Sequence, residues 1–287
     1  MSVLAPPSAV SEAVTRALRE DLGPLGDLTA ALIDPTTMGS LNIVTRQPGV
    51  IAGQACVVET YAQLDAGVTV TVIAEDGTAV SAGAIITNIA GPYRSLLTGE
   101  RTALNFLGHL SGVATQTRAM VDAVTAVSLH TKVLDTRKTT PGLRALEKAA
   151  VRAGGGTNHR ASLSDAILIK DNHLGTLSVS DAVERAQQLW PGRSVEVECD
   201  TLMQIREAAA AGATSVLLDN MSPEEAKEAV ELARYLAPEM VIEVSGGITL
   251  ETAALYAASG VDRISSGALT HSVSNLDLGL DLAEGKK

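Results

Sequence analysis

From residue 131 onward, short apolar segments of strand character alternate with segments of helical periodicity. Such alternation is typical of βα units, in which successive strands lie parallel and the helices cover the sheet. It restricts this half of the chain to a parallel α/β architecture. The predicted strands are 131–135, 166–170, 195–199, 215–219, 241–244 and 263–265, and the predicted helices are 143–153, 179–189, 201–211, 223–236 and 250–258.

The connections after the strands decide between two parallel architectures. No GxGxxG turn follows any predicted strand, so a dinucleotide-binding Rossmann unit has little support. The glycine run at 154–156 follows a predicted helix, which is the wrong position for such a turn. We therefore predict an α/β barrel, complete or partial.

The first part of the chain has a different pattern. After a predicted helix at 11–22 come alternating segments separated by turns, which indicate an antiparallel sheet with helices. A helical region at 95–127 follows, and Gly108 and Gly112 are expected to interrupt it, with Ser111 capping its second segment. The predicted strands here are 41–45, 49–58, 68–74 and 83–89; the predicted domains are 1–110, joined by 274–287, and 111–273.

Composition excludes several classes of partner. The net charge is −11 and aromatic residues make up only 2%, so neither phosphate attraction nor base stacking favours nucleic-acid binding. No apolar run reaches the roughly 20 residues of a membrane span. The only cysteines, Cys56 and Cys199, have no metal-type spacing, and the N-terminus has no signal-peptide pattern, so we expect a cytoplasmic protein.

Basic residues gather in three short polar segments of this acidic chain. Because the overall charge repels anions, a local basic pocket suggests an anionic ligand that is captured specifically. Arginine suits carboxylates and phosphates because its planar guanidinium donates two parallel hydrogen bonds. The residues are Arg137 and Lys138, His159 and Arg160, and Lys170 and His173.

Carboxylates lie within or at the ends of the predicted strands. Glu196 and Glu198 are two residues apart and so share a face, while Asp219 ends the next strand. A carboxylate inside a barrel is costly unless it is paired. Glu198 and Asp219 are therefore candidates for binding Mg²⁺, for holding sugar hydroxyls or for facing a developing cation, whereas Glu243 is more typical of a structural ion pair.

Two further features of the strand ends remain open to alternatives. Lys170 pairs with a substrate carboxylate, forms a Schiff base, or pairs with a neighbouring acid. The segments 245–247 and 266–267 follow the last two strands, and their glycines allow backbone N–H groups to approach a phosphate. Each segment alone is also compatible with an ordinary turn, but together they favour a phosphate site.

Taken together and in their order along the chain, the basic segments and the polar strand ends resemble the quinolinate phosphoribosyltransferase family. The resemblance implies a partial, open α/β barrel with an N-terminal α/β sandwich domain, to which residues 276–282 return. Arg263 stands where the family frequently has an aromatic residue, and Ala161-Ser162 where a glycine is usual. The matching segments are 20–23, 26–29, 100–107, 135–144, 154–160, 168–173, 196–198, 218–221, 245–248 and 267–272.

The resemblance implies a Mg²⁺-dependent condensation of quinolinate with phosphoribosyl pyrophosphate (PRPP), which releases pyrophosphate and CO₂ and gives nicotinate mononucleotide for NAD biosynthesis. Glu198 and Asp219 would bind ribose hydroxyls or Mg²⁺ and, with Lys138, form the catalytic set. Arg101 would reach the site from the other subunit of a homodimer. Arg137, His159, Arg160 and Lys170 would hold the quinolinate carboxylates, and Lys138, Ser245, Gly246, Gly247, Ser266, Gly267 and His271 would contact the phosphoribosyl donor.

Three rival functions remain at this stage. A related transferase that uses nicotinate would need fewer basic partners, so the arginines favour a dicarboxylate. An aldolase would depend on a Schiff base at Lys170. A non-catalytic anion-binding protein would give no reason for Glu198 and Asp219 to lie in the pocket.

Overall fold

The computed structural model describes residues 4–283. Residue contacts divide them into two compact units, the first comprising 4–118, 139–155 and 269–283 and the second 119–138 and 156–268. The predicted domain boundaries stay a prediction. The helices are α1 Pro7–Leu22, α2 Gln54–Leu64, α3 Tyr93–Thr125, α4 Arg144–Ala153, α5 Val179–Leu189, α6 Leu202–Ala210, α7 Pro223–Leu236, α8 Leu250–Ala258 and α9 Ala268–His271. The strands are β1 Met38–Thr45, β2 Gly49–Val50, β3 Thr69–Val72, β4 Ala79–Val80, β5 Ile85–Pro92, β6 Lys132–Leu134, β7 Ile167–Ile169, β8 Val195–Cys199, β9 Ser215–Asp219, β10 Val241–Ser245, β11 Arg263–Ser265 and β12 Leu278–Leu282.

The first unit contains an antiparallel sheet in the order β12-β1-β5-β3. The C-terminal strand β12 pairs with β1, with Leu41 opposite Leu282 and Thr45 opposite Leu278. The family resemblance had implied that residues 276–282 return to the N-terminal part of the chain, and β12 does pair with β1 there. The buried side of the sheet packs around Ile43, Ile89 and neighbouring aliphatic side chains.

Helix α3 continues through both glycines that were expected to interrupt it. A Cβ atom at Gly112 would overlap the carbonyl oxygen of Ser274, and one at Gly108 would lie 3.2 Å from that of Leu276. The glycines are therefore explained by close passage of the chain rather than by a break in the helix. Ser111 is not a cap, because its hydroxyl bonds to the backbone of Ala52.

The segment 49–58, predicted as a strand, is another error. Only Gly49–Val50 form a strand, which pairs with β4, and α2 begins at Gln54. The β-branched residues Val57 and Val58 favoured a strand locally, but Val57 is buried among the aliphatic side chains beneath the sheet. Tertiary packing overrides the local preference there.

The second unit contains a six-stranded parallel sheet in the order β6-β11-β10-β9-β8-β7. All six predicted strands are confirmed, with ends that differ by one residue at most. No ladder joins β6 to β7 among the described residues; the isolated bridge between Leu134 and Thr157 lies near that gap. The barrel is therefore open, as predicted.

The helices of this unit begin where the sequence supplies capping residues. In α7, the Ser222 hydroxyl accepts from the Glu225 N–H, and the Glu225 carboxylate accepts from the Ser222 N–H. Thr201 and Gln204 make the same reciprocal pair at the start of α6. These caps give hydrogen-bond partners to backbone N–H groups that a helix start leaves without any. They therefore fix the residue at which each of these helices begins.

Within residues 4–283, no helix combines the length and the hydrophobicity that crossing a lipid bilayer requires.

Candidate active site

A cavity of about 330 Å³ opens at the carboxyl ends of the parallel strands, within the second unit. Successive strand residues alternate between the barrel interior and the helices, so the inward-facing side chains near the carboxyl ends of β8 to β11 line this space. Eight of the predicted site residues line it: Arg137, Lys138, His159, Arg160, Lys170, Glu198, Asp219 and Ser245. Thr136, Leu168, Leu217, Glu243 and Ser265 complete the lining.

The segment that carries His159 and Arg160 is anchored by a buried aspartate. Asp135, at the end of β6, is 0% exposed and accepts hydrogen bonds from Nδ2 of Asn158 and from the His159 N–H, the latter at 2.9 Å. The two oxygens of one carboxylate thus hold two consecutive residues. By holding the backbone there, Asp135 fixes the directions in which the side chains of His159 and Arg160 leave it.

His159 connects this segment to two acidic residues inside the barrel. Its Nε2 atom lies 2.9 Å from Oε2 of Glu196 and 3.5 Å from Oε1 of Glu243. Its Nδ1 atom accepts from the Arg160 N–H at 2.7 Å, so the ring carries its proton on Nε2 and donates toward the carboxylates. Burial, followed by the charge of Glu196, raises the pKa of Glu243 above its usual range. Glu243 therefore holds a proton more tightly than a solvent-exposed glutamate does.

Arg160 and Arg137 place two guanidinium groups in one cavity. Nη1 of Arg160 donates to the Ala166 carbonyl oxygen at 3.0 Å. Burial and then the charge of Arg137 lower the pKa of Arg160, an effect that Glu196 opposes. Two neighbouring guanidiniums are an unfavourable pair unless an anion lies between them, so this part of the cavity suits a ligand with negative charge.

Lys170 forms an ion pair with Glu198 across the neighbouring strands β7 and β8. The Lys170 side chain is 43% exposed, whereas that of Glu198 is only 10% exposed. The Lys170 amine lines the cavity, where the ion pair with Glu198 holds it in place. A bound ligand anion would therefore meet an amine that already has a carboxylate partner.

Asp219 and Ser245 end the adjacent strands β9 and β10 and are paired in register. Burial raises the pKa of Asp219, while the charges of Lys170 and Lys138 act in the opposite direction. Asn220 donates from Nδ2 to Asp219 at 2.7 Å and adopts a left-handed backbone conformation, with φ of 56°. A Cβ atom at Gly246 would overlap Oδ1 of Asn220, which explains the glycine there.

The remaining predicted residues do not line the cavity. Gly247 is exposed in the turn after β10, and Gly267 follows β11. The Ser266 hydroxyl donates inward to the Ile248 carbonyl oxygen at 3.2 Å. Arg101 on α3 and His271 at the end of α9 are both exposed and belong to the first unit.

Two sets of residues present metal-ligand atoms in this region. The ligand atoms of His159, Glu196 and Glu243 lie within 4.8 Å of one another. The proton on Nε2 of His159 argues against a metal there, because a metal would need that nitrogen unprotonated. Glu198 and Asp219 offer only carboxylate oxygens, which suit a hard cation such as Mg²⁺. The donor chemistry of the predicted Mg²⁺ ligands thus fits the ion.

Sequence reasoning gave less weight to Glu243 than the structure does. The Glu243 side chain is fully buried, with Nε2 of His159 at 3.5 Å from its Oε1, and Oε1 of the neighbouring Glu196 is buried without a hydrogen-bond partner. The sequence did contain one indication: Glu243 is a charged residue two positions before Ser245 on the same strand, so both side chains face the barrel interior.

The sequence matches two family profiles described as the N-terminal and C-terminal domains of quinolinate phosphoribosyl transferase, at residues 27–111 and 113–281. A nicotinate-nucleotide pyrophosphorylase [carboxylating] from Mycobacterium leprae is 44% identical over 279 residues, covering 96% of this chain and 97% of that protein. The Homo sapiens protein of the same name is 36% identical, covering 98% and 94%. The solved nicotinate-nucleotide pyrophosphorylase of Francisella tularensis superposes with a TM-score of 0.92 at 40% identity, covering 99% of both chains.

Proposed function

This chain belongs to the quinolinate phosphoribosyl transferase family, and we propose that it transfers a phosphoribosyl group from PRPP to quinolinate with loss of CO₂. The products are nicotinate mononucleotide, pyrophosphate and CO₂, a step of NAD biosynthesis. The observation that carries the proposal is the concentration of Arg137, Lys138, Arg160 and Lys170 around one cavity of a chain with net charge −11. Both substrates are multiply charged anions, and these cations are what such ligands require.

We assign the quinolinate carboxylates to Arg137, Arg160 and Lys170. The two guanidiniums suit one dianion better than one monoanion, because a dianion presents a negative charge to each of them. His159 contributes by holding Arg160, since its Nδ1 atom accepts from the Arg160 N–H. This arrangement supports a dicarboxylate as the acceptor substrate and disfavours nicotinate.

We assign the phosphoribosyl donor to the part of the cavity around Glu198 and Asp219. Glu198 and Asp219 would face the ribose, where their negative charge stabilises the positive charge that develops as the bond from C1 to pyrophosphate breaks. Lys138 would face the departing pyrophosphate. The residues proposed to contact the donor phosphates, besides Lys138, are Ser245, Gly246, Gly247, Ser266, Gly267 and His271.

Two bonds break in the reaction, one in each substrate. The pyridine nitrogen forms a bond to C1 of the ribose as the oxygen of pyrophosphate leaves with its electron pair. In the resulting pyridinium, the bond to the 2-carboxylate breaks, its electrons remain on the ring carbon beside the positive nitrogen, and CO₂ leaves. That carbon then takes a proton. Lys170 and the arginines hold the carboxylates through the first step, so binding and positioning are their contribution.

The Mg²⁺ ion is proposed on chemical grounds. Glu198 and Asp219 are the residues that would hold it, and when bound it would neutralise charge on the pyrophosphate. Burial raises the pKa of Asp219, so a nearby cation would help to keep that carboxyl ionised.

We also propose a homodimer and a cytoplasmic location. Arg101 is exposed on α3, as expected for a residue that serves a partner subunit. Cys56 and Cys199 are both free and buried, which agrees with a reducing compartment.

A turnover assay tests the proposed function. Purified protein is incubated with PRPP and Mg²⁺, separately with quinolinate and with nicotinate, while mononucleotide and CO₂ are followed; a further arm omits Mg²⁺. We expect product with quinolinate alone, and only with the metal present. Turnover of nicotinate but not quinolinate, or of neither acid by folded protein, would contradict the proposal.

A further inference from the structure

A second cavity, of about 370 Å³, lies at the opposite end of the same barrel. We call it the amino-end cavity because residues at or just before the starts of the strands line it. In a parallel barrel the interior is ordinarily filled by layers of large aliphatic side chains. Here small or polar residues occupy many of those positions, which leaves the space open: Thr157, Ser194, Thr214 and Ser215, together with Lys132, Arg263 and Glu196.

Two cations stand side by side in this lining. Lys132 and Arg263 are register partners on the neighbouring parallel strands β6 and β11, and both side chains line the cavity. Among residues 4–283, neither side chain forms an ion pair or a side-chain hydrogen bond. The acid in register with Arg263 is Glu243, whose raised pKa weakens it as a counterion. Adjacent like charges are unfavourable, and an anion bound between them would relieve the repulsion.

An acceptor without a donor lines the same cavity. The Glu196 side chain is 8% exposed, and its Oε2 atom accepts from His159, whereas Oε1 is buried without a hydrogen-bond partner. A buried carboxylate oxygen without a donor costs free energy. The occupant that satisfies the whole lining therefore offers negative charge to Lys132 and Arg263 and a hydrogen-bond donor to Glu196.

We propose that the amino-end cavity is a binding site for hydrogen phosphate or a small phosphate ester that retains a protonated oxygen. The unprotonated oxygens accept from Lys132 and Arg263, and the P–OH group donates to Oε1 of Glu196. A fully deprotonated tetrahedral anion such as sulfate has no donor for Glu196 and is repelled by it. Barrel enzymes carry their chemistry at the carboxyl ends of the strands, so this site binds without catalysing. His159 and Arg160 line both cavities, which places the bound anion against residues of the active site.

Anomalous X-ray diffraction locates the anion directly. Crystals are soaked in arsenate, which has the shape and protonation of phosphate, and in parallel in selenate, which replaces sulfate. We expect an arsenic peak in the amino-end cavity within hydrogen-bonding distance of Arg263 and Glu196, and no selenium peak there. Peaks at the active-site cavity serve as an internal positive control. Arsenic confined to the active-site cavity, or selenium at equal occupancy in the amino-end cavity, would overturn the proposal.

Calorimetry with inorganic phosphate tests the site in solution. Arg263→Met should weaken the binding at one class of site by about tenfold or more, because one charge-assisted contact is lost. Arg206→Met removes an exposed arginine on α6 and should leave binding unchanged. Equal phosphate-binding isotherms for wild type and Arg263→Met would contradict a phosphate site in the amino-end cavity.

The proposal stands apart from the proposed catalytic function, because neither measurement requires turnover. Arsenic in the amino-end cavity of a protein that turns over neither acid would reject the catalytic function alone. Turnover of quinolinate by protein whose amino-end cavity stays empty in arsenate would reject the phosphate site alone.

Discussion

The imidazole of His159 links Glu196 to Arg160: Nε2 lies 2.9 Å from Oε2 of Glu196, and Nδ1 accepts from the Arg160 N–H. Because the ring contacts both, the position of Arg160 in the cavity depends on the buried acids Glu196 on β8 and Glu243 on β10. Glu243 is the second of these acids, with Oε1 at 3.5 Å from the same nitrogen. The basic pocket therefore rests on a buried polar layer as well as on its loops.

Glu243 makes stability depend on pH. Burial raises its pKa from 4.5 to about 7, so the folded chain binds this proton more tightly than the unfolded chain. The stabilising effect is fully present below the unfolded-state pKa and is lost as pH rises through about 7. We expect the free energy of unfolding, from urea titrations, to fall over that interval. Glu243→Gln should show a smaller fall; an identical pH dependence would contradict the assignment.

Arg137→Ala should lower kcat/KM for quinolinate by about 10- to 100-fold, because a charged hydrogen-bonding partner contributes roughly 1.5–3 kcal/mol. Arg206→Ala, on the exposed surface of α6, is the matched control and should change it less than about twofold. Steady-state kinetics with quinolinate as the varied substrate provide the measurement. Equal losses in the two variants would show that Arg137 acts only through folding.

Lys170 should not form a covalent adduct with a carbonyl compound. Its amine is engaged in an ion pair with Glu198, and a Schiff base requires an amine that is free to attack a carbonyl carbon. Incubation with a 2-keto acid and borohydride, followed by intact-mass measurement, should leave the mass unchanged. A mass increase that disappears in Lys170→Met would restore the aldolase alternative.

Arg101 should complement a defect in the other subunit. If each site takes Arg101 from its partner, mixing inactive Arg101→Ala with inactive Lys170→Ala protein creates heterodimers with one intact site. Random exchange of subunits should then recover about a quarter of wild-type activity. Mixing Lys170→Ala with Arg137→Ala should recover none, since both changes lie in the same subunit's cavity. Failure of the first mixture despite confirmed exchange would place Arg101 outside the site.

Gly112→Ala should destabilise the protein by about 1–3 kcal/mol, because the added methyl group meets the Ser274 carbonyl oxygen. Gly175→Ala is the control: its added Cβ has no neighbour within 4 Å and its backbone is not left-handed. Thermal unfolding compares the two variants. A Gly112→Ala protein as stable as wild type would show that residues 274–276 move away from α3 without cost.

The barrel was predictable because its pattern is local. Strands 195–199 and 215–219 are bounded by turns and capping residues, and a parallel sheet brings their carboxyl ends to one edge. Placing Glu198 near Asp219 required only that rule. The same rule brought Lys170 to the cavity.

The errors arose where distant contacts decide local structure. Gly112 was interpreted as a helix break because nothing near it in sequence reveals the passage of Ser274. The buried layer of His159, Glu196 and Glu243 depends on the curvature of the sheet, which brings β8 and β10 toward one ring although β9 lies between them. No spacing in the sequence specifies that curvature.

The pairing of β12 with β1 also fixes an order of events during synthesis on the ribosome. Strand β1 emerges early, but its partner, Leu278–Leu282, is translated only after every strand of the barrel. Until then one edge of the N-terminal sheet has free backbone donors and acceptors, which invite pairing with other chains. The nascent protein must therefore carry an open sheet edge until Leu278–Leu282 have left the ribosome and can pair with β1.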